Sequence, residues 1–197
     1  RALPWTTVQR FLESISRADV HGLRDYAMFM LIASYGLRVS EIAALTLDDV
    51  RWRAGWIRIP SRKTATALTL PLTDVAGRAV ADYLRTGRPN VPHREIFLHV
   101  RAPIGPLKPT AVSMAFAARA KRSGLSIPFF GAHCLRHSYA VHLLRQGTPL
   151  KTIGDLLGHL TAEATCVYLR LATEDLREVP LPVPRGGPAK GHGKVRS

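Results

Sequence analysis

Hydrophobic positions recur along this chain with two different spacings, and the change between them divides it into elements. Val8, Phe11, Leu12 and Ile15 fall on one face of a helix, with Thr6-Thr7 ahead of them as its cap. Leu23 to Ser34, "LRDYAMFMLIAS", predicts a second and more apolar helix, stopped by Gly36. A short helix follows over Ser40 to Leu45, with Ser40 as its N-cap. Then alternation takes over, in "WIRIP" at 56–60 and in "ALTLPL" at 67–72. Between these two runs lies "SRKTAT", so a β-hairpin is expected with Lys63 on its turn. Thr73 caps a helix reaching about Leu84, and "IFLH" at 96–99 reads as one more short strand.

The later half is helical. Residues 86–95 and 100–109 are rich in Pro and Gly and read as loops. Pro109-Thr110 opens a helix to about Ser123. His133 to Gln146 forms the next and ends at Gly147. Thr148-Pro149 starts another with Pro at its first position. Thr161 caps the last, to about Leu171. From Pro180 the sequence "PLPVPRGGPAKGHGKVRS" has little to bury, so 180–197 is expected to be a flexible basic tail. The pattern predicts one α+β domain over 1–179, mainly α-helical with a small antiparallel β-sheet.

Charge changes this picture. The 197 residues hold 28 Lys+Arg against 14 Asp+Glu, a formal +14. Such an excess attracts polyanions, with nucleic acid first among them; free use of arginine in a GC-rich genome is the other explanation. No apolar run is long enough to span a membrane, and the start "RALPW" is no signal peptide, so a cytoplasmic protein is expected. Cys134 and Cys166 make neither a disulfide framework nor a zinc cluster. They read as ordinary thiols.

Candidate chemistry sits beside the structural punctuation. Arg38 stands in "GLRVSEI" after a helix stop, and Lys63 on the hairpin turn. His133 and Arg136 share a helix face in "HCLRHS". His159 follows in "LLGHL" and Tyr168 in "TCVYLRL". Each has a plain reading: an Arg38–Glu41 surface pair, a solvated turn lysine, a capping His159, a core Tyr168. His133 and His137 at i, i+4 lack a third metal ligand nearby. Taken together the residues suit one reaction. Two arginines can hold a phosphate. A lysine and two histidines can move protons, and a tyrosine can attack phosphorus.

The order Arg…Lys…His-x-x-Arg…His…Tyr resembles the tyrosine recombinase, or phage integrase, family. The matching pieces are "GLRVSEIAAL", "SRKTATALTLPL", "HCLRHSYAVHLLRQGTPLKTIGDLLGH" and "TCVYLRL", with Tyr168 nine residues after His159 (168 − 159). The resemblance implies that family's catalytic-domain fold. It implies Arg38 and Arg136 on the scissile phosphate, and Lys63 protonating the leaving 5′ oxygen. His133 and His159 would donate to phosphate oxygens, and Tyr168 would be the nucleophile. Glu41 would support Arg38, and His137 would support its helix. It further implies double-stranded DNA as substrate, no metal or other cofactor, and a homotetramer on two DNA sites, with a monomer away from DNA. The family usually carries an N-terminal core-binding domain as well, which is expected to be absent from this chain. A type IB topoisomerase and an inactive DNA-binding module are the rival readings. A metal-dependent nuclease would need carboxylates clustered with the histidines. Only Asp155 and Glu163 lie near His159 in sequence.

Overall fold

The computed structural model describes residues 2–60 and 67–158. Seven α-helices run through them: α1 Trp5–Glu13, α2 Val20–Tyr35, α3 Val39–Ala44, α4 Asp74–Asp82, α5 Pro109–Arg122, α6 His133–Arg145 and α7 Leu150–Leu157. Three strands, β1 Val50–Arg51, β2 Trp56–Ile59 and β3 Leu68–Pro71, form one antiparallel sheet in the order β1-β2-β3. The fold class is therefore α+β, mainly helical, as the pattern predicts.

α2 is the central element. Ala27, Met28, Phe29, Leu31 and Ile32 on it are fully buried, and α1, α4, α5 and α6 all pack against it. Burial on nearly every side explains why its sequence is apolar almost throughout. Phe29 meets Phe11 of α1 and Phe116 of α5, with the three rings 5.0–5.7 Å apart in tilted and edge-on pairs. A second, smaller cluster joins Ala140 and Val141 of α6 to Ile153 and Leu157 of α7.

The hairpin alternation is real. Ile57 and Ile59 are buried while Arg58 between them is exposed, and Ile57 pairs with Leu70. Lys63 lies outside the described residues. Thr73 caps α4 through its hydroxyl, which accepts from Ala76 N. Tyr35 ties this junction to α2, its hydroxyl donating to Pro71 O (3.0 Å) and accepting from Thr73 N (2.9 Å).

Several boundaries differ from the sequence expectation. α1 starts at Trp5 with Pro4 at the N-cap, so Thr6 and Thr7 are helical. α2 starts earlier, at Val20, because the Asp19 carboxylate accepts from Gly22 N and caps it. Arg38, not Ser40, is the N-cap of α3. Pro149 is the N-cap of α7 and the helix begins at Leu150. "IFLH" adds no strand to the sheet. Ile96, Phe97 and Leu98 are fully buried, but the backbone there makes single pairings: Ile96 N to Leu45 O, Leu107 N to Phe97 O, and an isolated bridge from Leu98 to Pro106. The helix expected after Thr161 and the tail from Pro180 lie outside the described residues. Among the described residues no helix is long and apolar enough to cross a membrane.

Two outcomes follow from this packing. Phe116→Ala removes the ring that Phe11 and Phe29 share, and is expected to cost about 3–5 kcal/mol in urea unfolding. Cys134 is fully buried, and burial pushes its thiol up to about 12. In a Cys166→Ser background, Cys134 should resist a thiol reagent at pH 8 and react only once denaturant is added.

Candidate active site

Arg38, Glu41 and Arg136 meet where α2, α6 and α7 come together. α2 ends at Gly36, in the left-handed region at φ 63°. That conformation turns the chain sharply into Leu37 and Arg38. A Cβ on Gly36 would lie 2.5 Å from Leu157 Cδ2 and 2.8 Å from Tyr139 Cδ1, so both backbone and space require glycine here.

Arg136 lies on α6, with only 6% of its surface exposed. Its Nη1 donates to Gly36 O and its Nη2 to Leu157 O (2.6 Å). Arg38 approaches from the other side. Its Nη2 donates to Gly158 O at 2.9 Å. The two guanidinium groups are therefore anchored on successive carbonyls at the C-terminal end of α7, immediately before His159.

Glu41 holds Arg38 in this position. One carboxylate oxygen accepts from the Arg38 backbone N–H (2.7 Å) and the other from Arg38 Nη1 (2.9 Å). The first contact caps the start of α3 with the N3 glutamate. The second points the guanidinium toward α7. Glu41 is almost wholly buried at 2% exposure, while the Arg38 side chain keeps 23% of its surface in contact with solvent. The plain surface pair considered from sequence is instead a fixed support with its carboxylate buried. The partly exposed Arg38 side chain puts positive charge at a solvent-accessible edge beside the buried Arg136, which suits an oxyanion.

His133 is the first residue of α6 and is exposed. Its ring covers Gly131, where an added Cβ would lie 2.6 Å from Nδ1. The half-buried His137 ring stands edge-on to it at 5.9 Å. Among the described residues no group of three or more His, Cys, Asp or Glu is placed to hold a metal. Lys63, His159 and Tyr168 lie outside the described residues. Arg38, Glu41 and Arg136 are thus brought together, and His133 sits one turn before Arg136.

Sequence reasoning registered Gly36 only as a helix stop and did not single out Tyr139. Tyr139 is half-buried against Gly36, and burial raises its hydroxyl above the usual tyrosine range. The carbonyls of Gly36, Leu157 and Gly158 carry no sequence signal at all.

Comparison with known proteins gives a consistent result. The model of the phage integrase family matches residues 2–175. The integrase/recombinase y4gC of Sinorhizobium fredii is 41% identical over 170 residues, covering 83% of this chain and 84% of that protein. The tyrosine recombinase XerD of Halalkalibacterium halodurans is 31% identical over 183 residues, covering 91% of this chain and 60% of XerD. The crystal structure of XerA recombinase superposes with a TM-score of 0.77 at 23% identity, over 90% of this chain and 61% of that one. The chain spans less than half of another relative, the S. fredii integrase/recombinase y4rA, at 45% of its length.

Gly36→Ala should cost at least about 2 kcal/mol, from left-handed strain and from displacement of Leu157 and Tyr139. Thermal unfolding of the variant beside the parent chain measures it, and an unchanged midpoint would contradict the close approach.

Proposed function

The chain belongs to the phage integrase family, and we propose that it is the catalytic part of a site-specific DNA recombinase. In this reading it cuts and rejoins strands through a 3′-phosphotyrosine intermediate. The observation that most supports it is the convergence of Arg38 and Arg136 on the end of α7, with Glu41 fixing Arg38. A phosphodiester entering at that edge would meet two planar donors suited to its non-bridging oxygens.

The roles of the individual residues are part of the proposal. The Tyr168 oxygen attacks phosphorus as its proton passes to a neutral imidazole of the His133–His159 pair. The bond from phosphorus to the 5′ oxygen breaks, and Lys63 supplies the proton that oxygen needs. Arg38 and Arg136 stabilise the charge that builds on the phosphoryl oxygens, and His133 and His159 donate to the same oxygens. The phosphotyrosine keeps the energy of the broken bond, so a free 5′-hydroxyl can attack it and restore a phosphodiester without ATP. Side-chain cations would supply the positive charge that a metal ion supplies in other phosphoryl transfers. XerH, a structural neighbour, has been solved bound to its palindromic difH substrate, and the Tn1549 transposon integrase in complex with transposon right end DNA. By analogy we propose duplex DNA as the partner here, and a homotetramer on two DNA sites as the working assembly. We place the activity in the bacterial cytoplasm and nucleoid, assign residues 1–179 to the catalytic domain, and take 180–197 to be a basic tail.

Trapping of the covalent intermediate tests the chemistry. In buffer containing EDTA, the chain should form a denaturation-resistant adduct with nicked duplex DNA from its source, joined through the 3′-phosphate. Tyr168→Phe should abolish the adduct and leave DNA affinity within about twofold, since the hydroxyl alone is lost. An adduct that survives in Tyr168→Phe, or that EDTA prevents, overturns the mechanism. Glu41→Gln should lower the cleavage rate about 10- to 100-fold, by analogy with loss of the partner that orients a metal-binding side chain, with little change in binding. If binding fell in proportion to cleavage, the positioning role of Glu41 would be wrong.

A further inference from the structure

The opposite end of α2 carries a second group of cations. His21 and Arg24 lie on its first two turns and face His99, Arg101 and Pro103, from the loop between α4 and α5, across a pocket of about 360 Å³. Twelve residues separate Arg24 from Gly36 (36 − 24), so this pocket lies about 18 Å along the helix from the arginine pair.

We propose that this pocket binds a phosphate group. Arg24 forms its floor, with only 8% of the residue exposed. Its Nη1 donates to Leu98 O, and its Nε and Nη2 both donate to Asp25 Oδ1. A guanidinium has five N–H donors. These contacts use three, leaving one on each terminal nitrogen.

The charge balance favours an anion. The Asp25 carboxylate is shared, because Arg119 Nε donates to its other oxygen at 2.8 Å. One buried carboxylate thus serves two guanidinium groups and leaves an excess positive charge. The other acid nearby, Asp19, is engaged by Gly22 N at 2.7 Å. Among the described residues no carboxylate lines the pocket itself. His21 and His99 are half-buried at the walls and Arg101 is exposed at the mouth. Imidazoles beside a phosphate donate hydrogen bonds and are stabilised in their charged form.

The loop is held in place by contacts that do not involve a ligand. His99 N donates to Gly105 O at 2.8 Å, and the Arg24–Leu98 bond ties the loop to α2. Protein contacts alone thus shape the pocket. A tetrahedral phosphate of either of two sources fits: the backbone of a DNA strand, or a free phosphate such as that of a nucleotide.

The test follows the imidazole NMR signals of His21 and His99 in this chain as inorganic phosphate is added, with chloride at matched ionic strength as control. Both rings should shift saturably in the millimolar range with phosphate and not with chloride. The double variant His99→Ala/Arg101→Ala changes only the loop and leaves the Arg24–Asp25–Arg119 network in place. It should lose the saturable shift at His21. Shifts no larger than those in chloride, or an unchanged response in the double variant, would overturn the proposal. A second arm separates the sources. If DNA backbone occupies the pocket, the salt dependence of duplex binding should drop by a log–log slope of about 1 in the double variant. An unchanged slope in the double variant, when the parent chain shows the saturable phosphate response and the variant has lost it, assigns the pocket to a small phosphate ligand. Tyr168→Phe should leave every one of these readings unaltered, so this site stands or falls independently of the strand-cleavage mechanism.

Discussion

Two guanidinium groups placed side by side repel each other, and the fold must offset that repulsion without cancelling the charge. The structure does it mainly with peptide carbonyls. Arg136 is held by Gly36 O at the end of α2 and by Leu157 O at the end of α7, and Arg38 by Gly158 O. Helix C-termini carry partial negative charge and unsatisfied carbonyls, so these ends are natural sockets for cations. A full set of carboxylates would have held the arginines equally well and left nothing for an anion to meet. Glu41 is placed where it orients Arg38 from below, buried, while the solvent-facing edge stays cationic.

This solution constrains the rest of the molecule. For the Gly36 carbonyl to reach α6, the end of α2 must come against Tyr139 and Leu157 with no room for a side chain. α2 must then run through the centre of the domain, and it does so as an apolar helix whose other surfaces take up α1, α4 and α5. The tight turn at Gly36 delivers Arg38 directly onto the start of α3, where Glu41 caps the helix and pairs with the arginine in one stroke. The small cluster of Ala140, Val141, Ile153 and Leu157 fixes the end of α7 relative to α6, and so fixes two of the carbonyls.

What the sequence revealed, and what it hid, follows from the same physics. Side-chain periodicity exposed the hairpin, because Ile57 and Ile59 alternate with an exposed Arg58. α5 and α6 were marked instead by their ends, Pro109-Thr110 and Gly147. Periodicity could not show β1, whose two residues are too few for a period. It misread "IFLH", because a fully buried apolar run looks alike whether its backbone pairs with a sheet or with scattered loop partners. The cap at Asp19 was missed because His21 and Gly22 separate Val20 from the apolar run that begins at Leu23. At the site, Arg38, Glu41, His133 and Arg136 could be named from their order and spacing. Their anchors could not, since a main-chain carbonyl has no letter of its own, and Gly36 showed only its role as a stop.

The two buried clusters at opposite ends of α2 share one charge rule. At one end a single carboxylate, Glu41, orients one arginine while carbonyls hold the other. At the other end a single carboxylate, Asp25, is divided between Arg24 and Arg119, and a carbonyl takes a further donor of Arg24. Among the described residues cations outnumber carboxylates in each place, as they do two to one in the whole chain, 28 against 14. A composition bias from codon usage alone would scatter its surplus over the solvated surface, where an unpaired arginine costs little. Burying the surplus is expensive unless something offsets it. Here main-chain dipoles offset part of it within the protein. The remaining positive potential is what an incoming phosphate would neutralise, and the electrostatic cost of the buried surplus would fall as it bound.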